Sequence, residues 1–273
     1  MGKSIMNLKL DGKKVLITGS SKGLGLSLVK AFMEEEAIVT MCSRSTDSLE
    51  KAFLSINTGY KNKLKTCIVD ATNEDSIKQC VKFAVEQMSG IDVLINNVGG
   101  ANKFASFFDL GSTDWIETFQ HNVMSIVHFC REAHSFIKQS QSPRIINISS
   151  QTGLQPGIFN PHYSACKAGV INLSKHLSNI FVKDNILVNC VVPGPFESDS
   201  WDRYIQRVAD QKNITFEVAK ELEFKIANQS IPLNRIGKVE DITPIILLLS
   251  SSLSSWTTGS CIVVDGGKIR GIH

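Results

Sequence analysis

The sequence predicts a single α/β domain with a doubly wound, mostly parallel sheet of seven strands and helices on both faces. Three observations support this fold class. The 273 residues are 42% hydrophobic, which is enough to bury the core of one large domain. Short apolar segments alternate with longer amphipathic segments, a rhythm typical of parallel sheets. No repeat, low-complexity tract or linker interrupts the series.

The first strand, turn and helix predict an anion site. Strand one, residues 13–18, stops at Gly19, and a turn with glycines at 19, 23 and 25 leads into a helix from Leu24 to about Glu36. Free N–H groups and the helix dipole attract anions at a helix N-terminus, and glycine permits close approach of a diphosphate. A flexible loop with chance glycines is the alternative, which the flanking strand and helix disfavour.

The end of strand two, residues 37–42, bears on the choice of dinucleotide. Ser43 and Arg44 follow it, with no acidic residue between them. An acid there holds the 2′-hydroxyl of NAD, whereas an arginine suits the 2′-phosphate of NADP. Lys22 in the glycine-rich turn supplies a second cation. Either cation alone is more often a solvated surface group, but together they favour NADP.

Later segments continue the alternation. We predict strands at 64–69, 91–95, 144–148, 187–192 and 261–264, and helices at 74–88, 113–139, 163–181 and 239–249. Asp70, after strand three, caps the following region, accepts a hydrogen bond from an adenine amino group, or does both. Asn122 lies inside a predicted helix, where asparagine is mildly unfavourable, so it is either a surface residue or a functional bend.

Residues 196–231 are predicted to form a flap over the site rather than a domain, because strands resume after them. Two helical patterns are plausible, at 200–211 and 215–227. We expect at least half of the flap's aromatic residues to serve packing. Phe196, Trp201 and Tyr204, together with the loop 101–108, are alternatively candidates for an apolar substrate pocket.

Tyr163 and Lys167 are the candidate catalytic pair. If Pro161 opens a helix, their spacing of four places both side chains on one helical face. A lysine ammonium beside a phenol lowers the phenol pKa from about 10, which suits proton transfer near neutral pH. The alternative is an ordinary helix start with both residues on its surface. Ser149 and Ser150 follow strand five, at the edge where open α/β sheets bind ligands.

The sequence resembles the short-chain dehydrogenase/reductase family, single-domain type, over nearly the whole chain, and most broadly its 3-oxoacyl carrier-protein reductases. The resemblance implies one Rossmann-type domain over residues 1–273. Val98 replaces the family's usual alanine, and Ser198 its commoner threonine. The motifs that carry the resemblance, all in family order, are Thr18–Gly25, Asp70, Asn96-Asn-Val-Gly99, Asn122, Ser150, Tyr163-x-x-x-Lys167, Asn189-x-x-x-Pro193-Gly194 and Asp265-Gly-Gly267.

The resemblance also implies a catalytic tetrad. Tyr163 would be the general acid in reduction, and Ser150, thirteen residues before it, would hold the substrate oxygen. Lys167 would lower the Tyr163 pKa and bind the nicotinamide ribose, and Asn122 would help hold a water behind Lys167. The expected cofactor-binding residues are Gly19, Ser21, Lys22, Gly23, Leu24, Ser43, Arg44, Asp70, Ala71, Asn97, Gly99, Tyr163, Lys167, Pro193, Gly194, Phe196 and Ser198.

We therefore expect an NADPH-dependent reductase of ketone or 3-oxoacyl-type carbonyls, on a free or carrier-bound substrate. A non-catalytic NADP-binding sensor or scaffold is the alternative from another class. The same enzyme running as an alcohol dehydrogenase is a third possibility. By resemblance, a homodimer or homotetramer is expected.

The net charge and the cysteine pattern argue against several other classes of protein. A net charge of +3 gives no support for nucleic-acid or membrane partners. The seven cysteines are scattered singly without metal-ligand spacing, so we expect no metal and a reduced, cytoplasmic protein. No apolar signal core follows the N-terminus, and the longest apolar run, 242–249, is too short to span a bilayer.

Overall fold

Parallel strands form the centre of the computed structural model, which describes residues 7–56, 59 and 62–271. Within those residues, seven strands make one all-parallel sheet in the order β3-β2-β1-β4-β5-β6-β7. This confirms the predicted fold class. The strands are β1 (Lys14–Ile17), β2 (Ile38–Ser43), β3 (Leu64–Ile68), β4 (Val93–Asn96), β5 (Arg144–Ile148), β6 (Leu187–Pro193) and β7 (Cys261–Val264).

Helices cover both faces of the sheet. They are α1 (Gly23–Glu34), α2 (Thr46–Leu54), α3 (Glu74–Met88), α4 (Ser112–Phe119), α5 (Ser125–Ile137), α6 (Pro161–Phe181), α7 (Asp199–Lys212), α8 (Phe216–Gln229) and α9 (Val239–Ser250). Helices α3, α5 and α6 share one core with the sheet, and α1, α2 and α9 share the other. None of the helices in the described part of the chain has the length and apolar character needed to cross a membrane.

Side chains that alternate along the strands supply both cores. In β1, Leu16 packs with the α3, α5 and α6 face, while Val15 and Ile17 pack with the opposite face. All three are fully buried. A parallel strand covered on both sides therefore needs a continuous apolar run, which is how the strands could be recognised in the sequence.

Helix α2 was not predicted. It has nine residues, of which only Leu49 and Ala52 are buried, so its apolar face is short. Its start is set by a local contact, in which the Ser45 hydroxyl accepts a hydrogen bond from the backbone N–H of Ser48 at 3.2 Å.

The long helix predicted over 113–139 is present but is not regular throughout. A π-helical turn, Gln120–Met124, separates α4 from α5. The side chain of Asn122 lies in this turn and donates to the carbonyl of Thr118 at 2.8 Å. It also bonds the backbone of Gly100 in the loop after β4. Asn122 therefore marks a bend and is fully buried, so the alternative of a surface residue is excluded.

The predicted flap consists of α7 and α8. Its base is fastened by backbone hydrogen bonds from Gly237 to Pro195 and from Glu197 to Gly237, both at 3.0 Å. Ile205, Val208, Ala209 and Ala219 form a small core between the two helices. The four aromatic residues of α7 and α8, Trp201, Tyr204, Phe216 and Phe224, pack against this core or its neighbour around Ile231, so each has a packing role.

Candidate active site

A cleft of about 430 Å³ lies at the carboxyl edge of the sheet. It opens where the strand order reverses between β1 and β4, which is the usual ligand position in open α/β sheets. All the cofactor-binding residues named from the sequence line this cleft, as do Ser150, Tyr163 and Lys167. Asn122 lies behind its wall.

The glycine-rich turn is shaped for close backbone approach. Gly19 has a φ of +61°, a conformation that glycine adopts without strain. A Cβ at Gly25 would lie 2.8 Å from the Cα of Ser20, so a larger residue does not fit. The amide of Asn97 ties the turn to the loop after β4 by donating to the carbonyls of Gly19 at 2.9 Å and Thr18 at 3.1 Å.

The start of α1 offers an anion site. Lys22 is the N-cap residue, yet its side chain makes no capping hydrogen bond. Gly23, Leu24 and Gly25, the first residues of the helix, line the cleft. Backbone N–H groups in the first turn of a helix have no partner within the helix, so they are available to a phosphate.

The two cations named from the sequence, Lys22 and Arg44, both line the cleft but in different settings. Arg44 lines the cleft beside Ser43, whose hydroxyl accepts a hydrogen bond from that of Ser21 at 3.0 Å. Lys22 instead pairs with Asp199 at the start of α7, with an Nζ to Oδ2 distance of 3.2 Å. Both members of that pair are largely exposed, so it contributes little to stability and leaves Lys22 able to exchange partners.

Asp70 stabilises a turn and does not cap α3. Its Oδ1 accepts hydrogen bonds from the backbone N–H of Thr72 at 2.9 Å and from the Thr72 hydroxyl at 2.7 Å. These bonds are the main cause of the lowered pKa of Asp70. The cap of α3 is Asn73, which accepts from the N–H of Ser76 at 2.8 Å. The predicted capping role is therefore corrected to a turn within the cleft wall.

Ser150, Tyr163 and Lys167 meet at one end of the cleft. The hydroxyl of Ser150 lies beside the phenol of Tyr163 and favours its ionised form. The Nζ of Lys167 donates to the carbonyl of Ile148 at 3.0 Å and lies 5.6 Å from the centre of the Tyr163 ring. Ser149 is engaged elsewhere, because its hydroxyl donates to the backbone carbonyl of Lys167 at 2.7 Å. Of the two serines, Ser150 is thus the one beside the phenol.

The net pKa of Tyr163 is raised in this structure, opposite to the direction expected from a neighbouring lysine. Burial raises the pKa of Tyr163 to about 12, and the Ser150 hydroxyl offsets only part of that rise. Burial also lowers the pKa of Lys167 to about 8. The ammonium is bonded to Ile148 and sits over the ring, so the loss of solvation outweighs its attraction for a phenolate.

Asn122 and Lys167 flank the loop after β4. A Cβ at Gly99 would lie 2.6 Å from Nζ of Lys167 and 2.8 Å from Oδ1 of Asn122. Oδ1 accepts from the N–H of Gly100 at 3.0 Å, and Nδ2 donates to its carbonyl at 2.7 Å. Glycine at 99 thus lets the backbone pass between two buried polar groups. The water that Asn122 would help hold stays a prediction.

Several cleft residues were missed from the sequence. His121 comes from the π-helical turn, and its proximity to Asn122 was the available signal. Asp199 and Arg203 lie four apart at the start of α7, a spacing that places both on one face of the flap helix. The cleft residues that the sequence analysis did not single out are Val69, His121, Ile148, Asp199, Ser200 and Arg203.

The described residues contain no cluster of three or more His, Cys, Asp or Glu side chains suited to a metal ion. All seven cysteines are free.

Comparison with known proteins finds similarity along nearly the whole chain. The family model for short chain dehydrogenase matches residues 13–208. The 3-oxoacyl-[acyl-carrier-protein] reductase FabG of Chlamydia pneumoniae is 32% identical over 262 residues, covering 96% of this chain and 99% of that protein. FabG of Thermotoga maritima is 29% identical, covering 96% of this chain and 100% of that protein. L-sorbose reductase from Gluconobacter frateurii, solved with NADPH and L-sorbose, gives a TM-score of 0.92 at 26% identity, covering 98% of this chain and 100% of that chain.

Proposed function

Because the chain belongs to the short-chain dehydrogenase family, we propose that it is an NADPH-dependent reductase that converts a ketone or 3-oxoacyl-type carbonyl into a secondary alcohol. Tyr163 acts as the general acid. One observation carries the proposal: Tyr163 touches Ser150 and Lys167 at the end of a cleft whose opposite end presents Arg44 and the glycine-rich turn. A proton donor and a dinucleotide site therefore share one cavity.

The cleft residues fit an NADP molecule. The glycine-rich turn and the first turn of α1 would hold the diphosphate, because Gly25 has no room for a side chain and the N–H groups there are free. Arg44 would hold the 2′-phosphate, since no carboxylate stands at the end of β2 to favour a 2′-hydroxyl. Asp70 and Ala71 would contact the adenine. When bound, NADPH supplies the hydride.

The protein's own residues supply the proton and hold the substrate. Burial keeps the Tyr163 phenol protonated at neutral pH, since its pKa is raised to about 12, and this is the form that a donor needs in reduction. Ser150 orients the substrate oxygen by hydrogen bonding. The ammonium of Lys167 stabilises the phenolate that forms as the proton leaves. The same residues serve alcohol oxidation, so the cellular ratio of NADPH to NADP⁺ decides between the two directions.

A Tyr163→Phe variant tests the assignment. We expect kcat/KM for NADPH oxidation on any responsive carbonyl to fall by roughly 10²–10⁴-fold, because the proton donor is lost. NADPH binding, followed by its fluorescence, should persist, which shows that the fold and the cofactor site survive. Equal activity of wild type and Tyr163→Phe on every responsive carbonyl would show that another group donates the proton. Tight NADPH binding without turnover of any carbonyl by the wild type would instead support a sensor or scaffold.

The substrate is proposed to be a small-molecule or a carrier-bound carbonyl. The two kinds of relative point to these two forms, since FabG is named for an acyl-carrier-protein substrate and the sorbose reductase is bound to a free sugar. A panel that pairs free ketoses with 3-oxoacyl thioesters separates them.

We also propose a homodimer or homotetramer in a reducing cytoplasm. Large apolar side chains are exposed along and just before α4, namely Phe107, Phe108, Ile116 and Phe119, and Phe108 is 92% exposed. An apolar patch of this kind is typical of an interface. Light scattering should give a multiple of the 30.0 kDa chain mass. A monomer at micromolar concentration would contradict this expectation.

A further inference from the structure

His121 lies in the cleft but has no part in the chemistry proposed above. It occupies the π-helical turn beside Asn122. Whereas Asn122 is fully buried and points to the loop after β4, His121 is only partly buried and lines the cleft. Two successive side chains of this turn therefore face different surroundings, one the protein and one the ligand space.

Charged groups from three other elements act on the imidazole. Lys167 belongs to α6, Arg44 follows β2 and Asp70 follows β3. Burial, followed by the positive charges of Lys167 and Arg44, lowers the pKa of His121 below its ordinary value, and the Asp70 carboxylate opposes this. In the protein alone the ring is therefore mostly neutral at physiological pH.

We propose that His121 takes up a proton from solvent when NADPH binds, so that it acts as a pH-dependent ligand of the cofactor phosphates. The inference rests on the proposed function, because it requires NADPH in this cleft. The proton adds to the free ring nitrogen, and no other bond changes. The phosphates of NADPH carry several negative charges, which counter the repulsion from Lys167 and Arg44 and favour the imidazolium.

The coupling between proton binding and NADPH binding determines how the cofactor affinity changes with pH. If the bound state holds one more proton on His121, cofactor affinity must rise as the pH falls through the range where the ring titrates. The 2′-phosphate has the opposite effect, because it has a pKa of about 6 and loses charge on acidification. The contribution of His121 is therefore read as the difference between the wild type and a His121→Gln variant, in which the phosphate contribution is the same.

The experiment is an NADPH fluorescence titration at about pH 6, pH 7 and pH 8.5, at fixed ionic strength. It compares the wild type, His121→Gln and His176→Gln. His176 is exposed on α6 and outside the cleft, so it controls for loss of a histidine as such. We expect the ratio of the variant Kd to the wild-type Kd to increase about threefold from pH 8.5 to pH 6 for His121→Gln, as a pKa rise of about one unit on binding requires. For His176→Gln the ratio should stay constant.

Failure of this inference can be told from failure of the proposed function. If NADPH binds the wild type with micromolar affinity but the Kd ratio for His121→Gln is the same at every pH, His121 is not proton-linked and only the inference is overturned. A uniform loss of affinity in that variant also overturns it, since a purely structural role changes Kd without changing its pH dependence. If no NADPH binding is seen at any pH, the cofactor assignment fails and the inference fails with it.

Discussion

Replacing Gly99 by alanine tests whether the catalytic lysine is held rigidly. The new Cβ would lie 2.6 Å from Nζ of Lys167 and 2.8 Å from Oδ1 of Asn122. Neither atom is free to withdraw. Nζ is bonded to the carbonyl of Ile148 and Oδ1 to the N–H of Gly100, each at 3.0 Å, and both side chains are almost completely buried.

The expected cost follows from these distances. Non-bonded heavy atoms prefer separations of roughly 3.5–4.0 Å, so both polar groups, or the backbone between them, must move by about 1 Å. Overpacking of this kind costs about 1–3 kcal/mol, and loss of one buried hydrogen bond adds about 1 kcal/mol. We therefore expect Gly99→Ala to lower the free energy of unfolding by about 2–4 kcal/mol. A displacement of about 1 Å in a catalytic group should also reduce kcat by about 100-fold.

Urea unfolding and steady-state kinetics provide the two measurements. Gly157→Ala is the matched control, because a Cβ there meets nothing within 4 Å and its backbone is not left-handed. Its stability should stay within about 0.5 kcal/mol of the wild type. If Gly99→Ala were as stable and as active as Gly157→Ala, the gap between Lys167 and Asn122 could not be as tightly filled as the distances indicate.

Two further predictions concern charge. Arg44→Asp should weaken NADPH binding far more than NADH binding, because only NADPH carries the 2′-phosphate; equal losses in a fluorescence titration would contradict the role of Arg44. Burial lowers the pKa of Lys167 from 10.5 to about 8. Between these two pH values the folded protein binds fewer protons than the unfolded chain. The burial of Lys167 therefore destabilises the fold fully below pH 8, and this destabilisation is relieved as the pH rises. The unfolding free energy of the wild type should therefore gain about 2 kcal/mol on that of Lys167→Met between pH 8 and pH 10. The buried thiols act in the opposite sense. Those remote from Lys167 cancel in this comparison, whereas Cys166 and Cys190, whose pKa values Lys167 lowers, add to the expected difference. A parallel pH dependence of the two proteins would refute the shift; Lys78→Met, at an exposed site, should run parallel to the wild type.

Local sequence patterns determined most of the secondary structure. The bounds predicted for β5, β7 and α3 coincide with those of the structure, because a buried parallel strand and an amphipathic helix each depend on residues close together in the chain. Helix α2 was not predicted because it buries only two residues. The π-helical turn between α4 and α5 was not predicted, because a single wider turn barely disturbs the helical period. The hydrogen bond that accompanies it, between Asn122 and Gly100, joins residues 22 apart in the sequence.

The sequence by itself determined which chemical groups the site contains: a glycine-rich turn, an arginine after β2, and the spacing that places Tyr163 and Lys167 on one face. Only the tertiary structure decided the protonation of these groups and which further side chains join them. The pKa of Tyr163 is raised rather than lowered, and His121 enters the cleft, because burial and contacts from distant strands set both. Solvation and Coulomb interactions act through space, so the spacing of residues along one helix does not predict them.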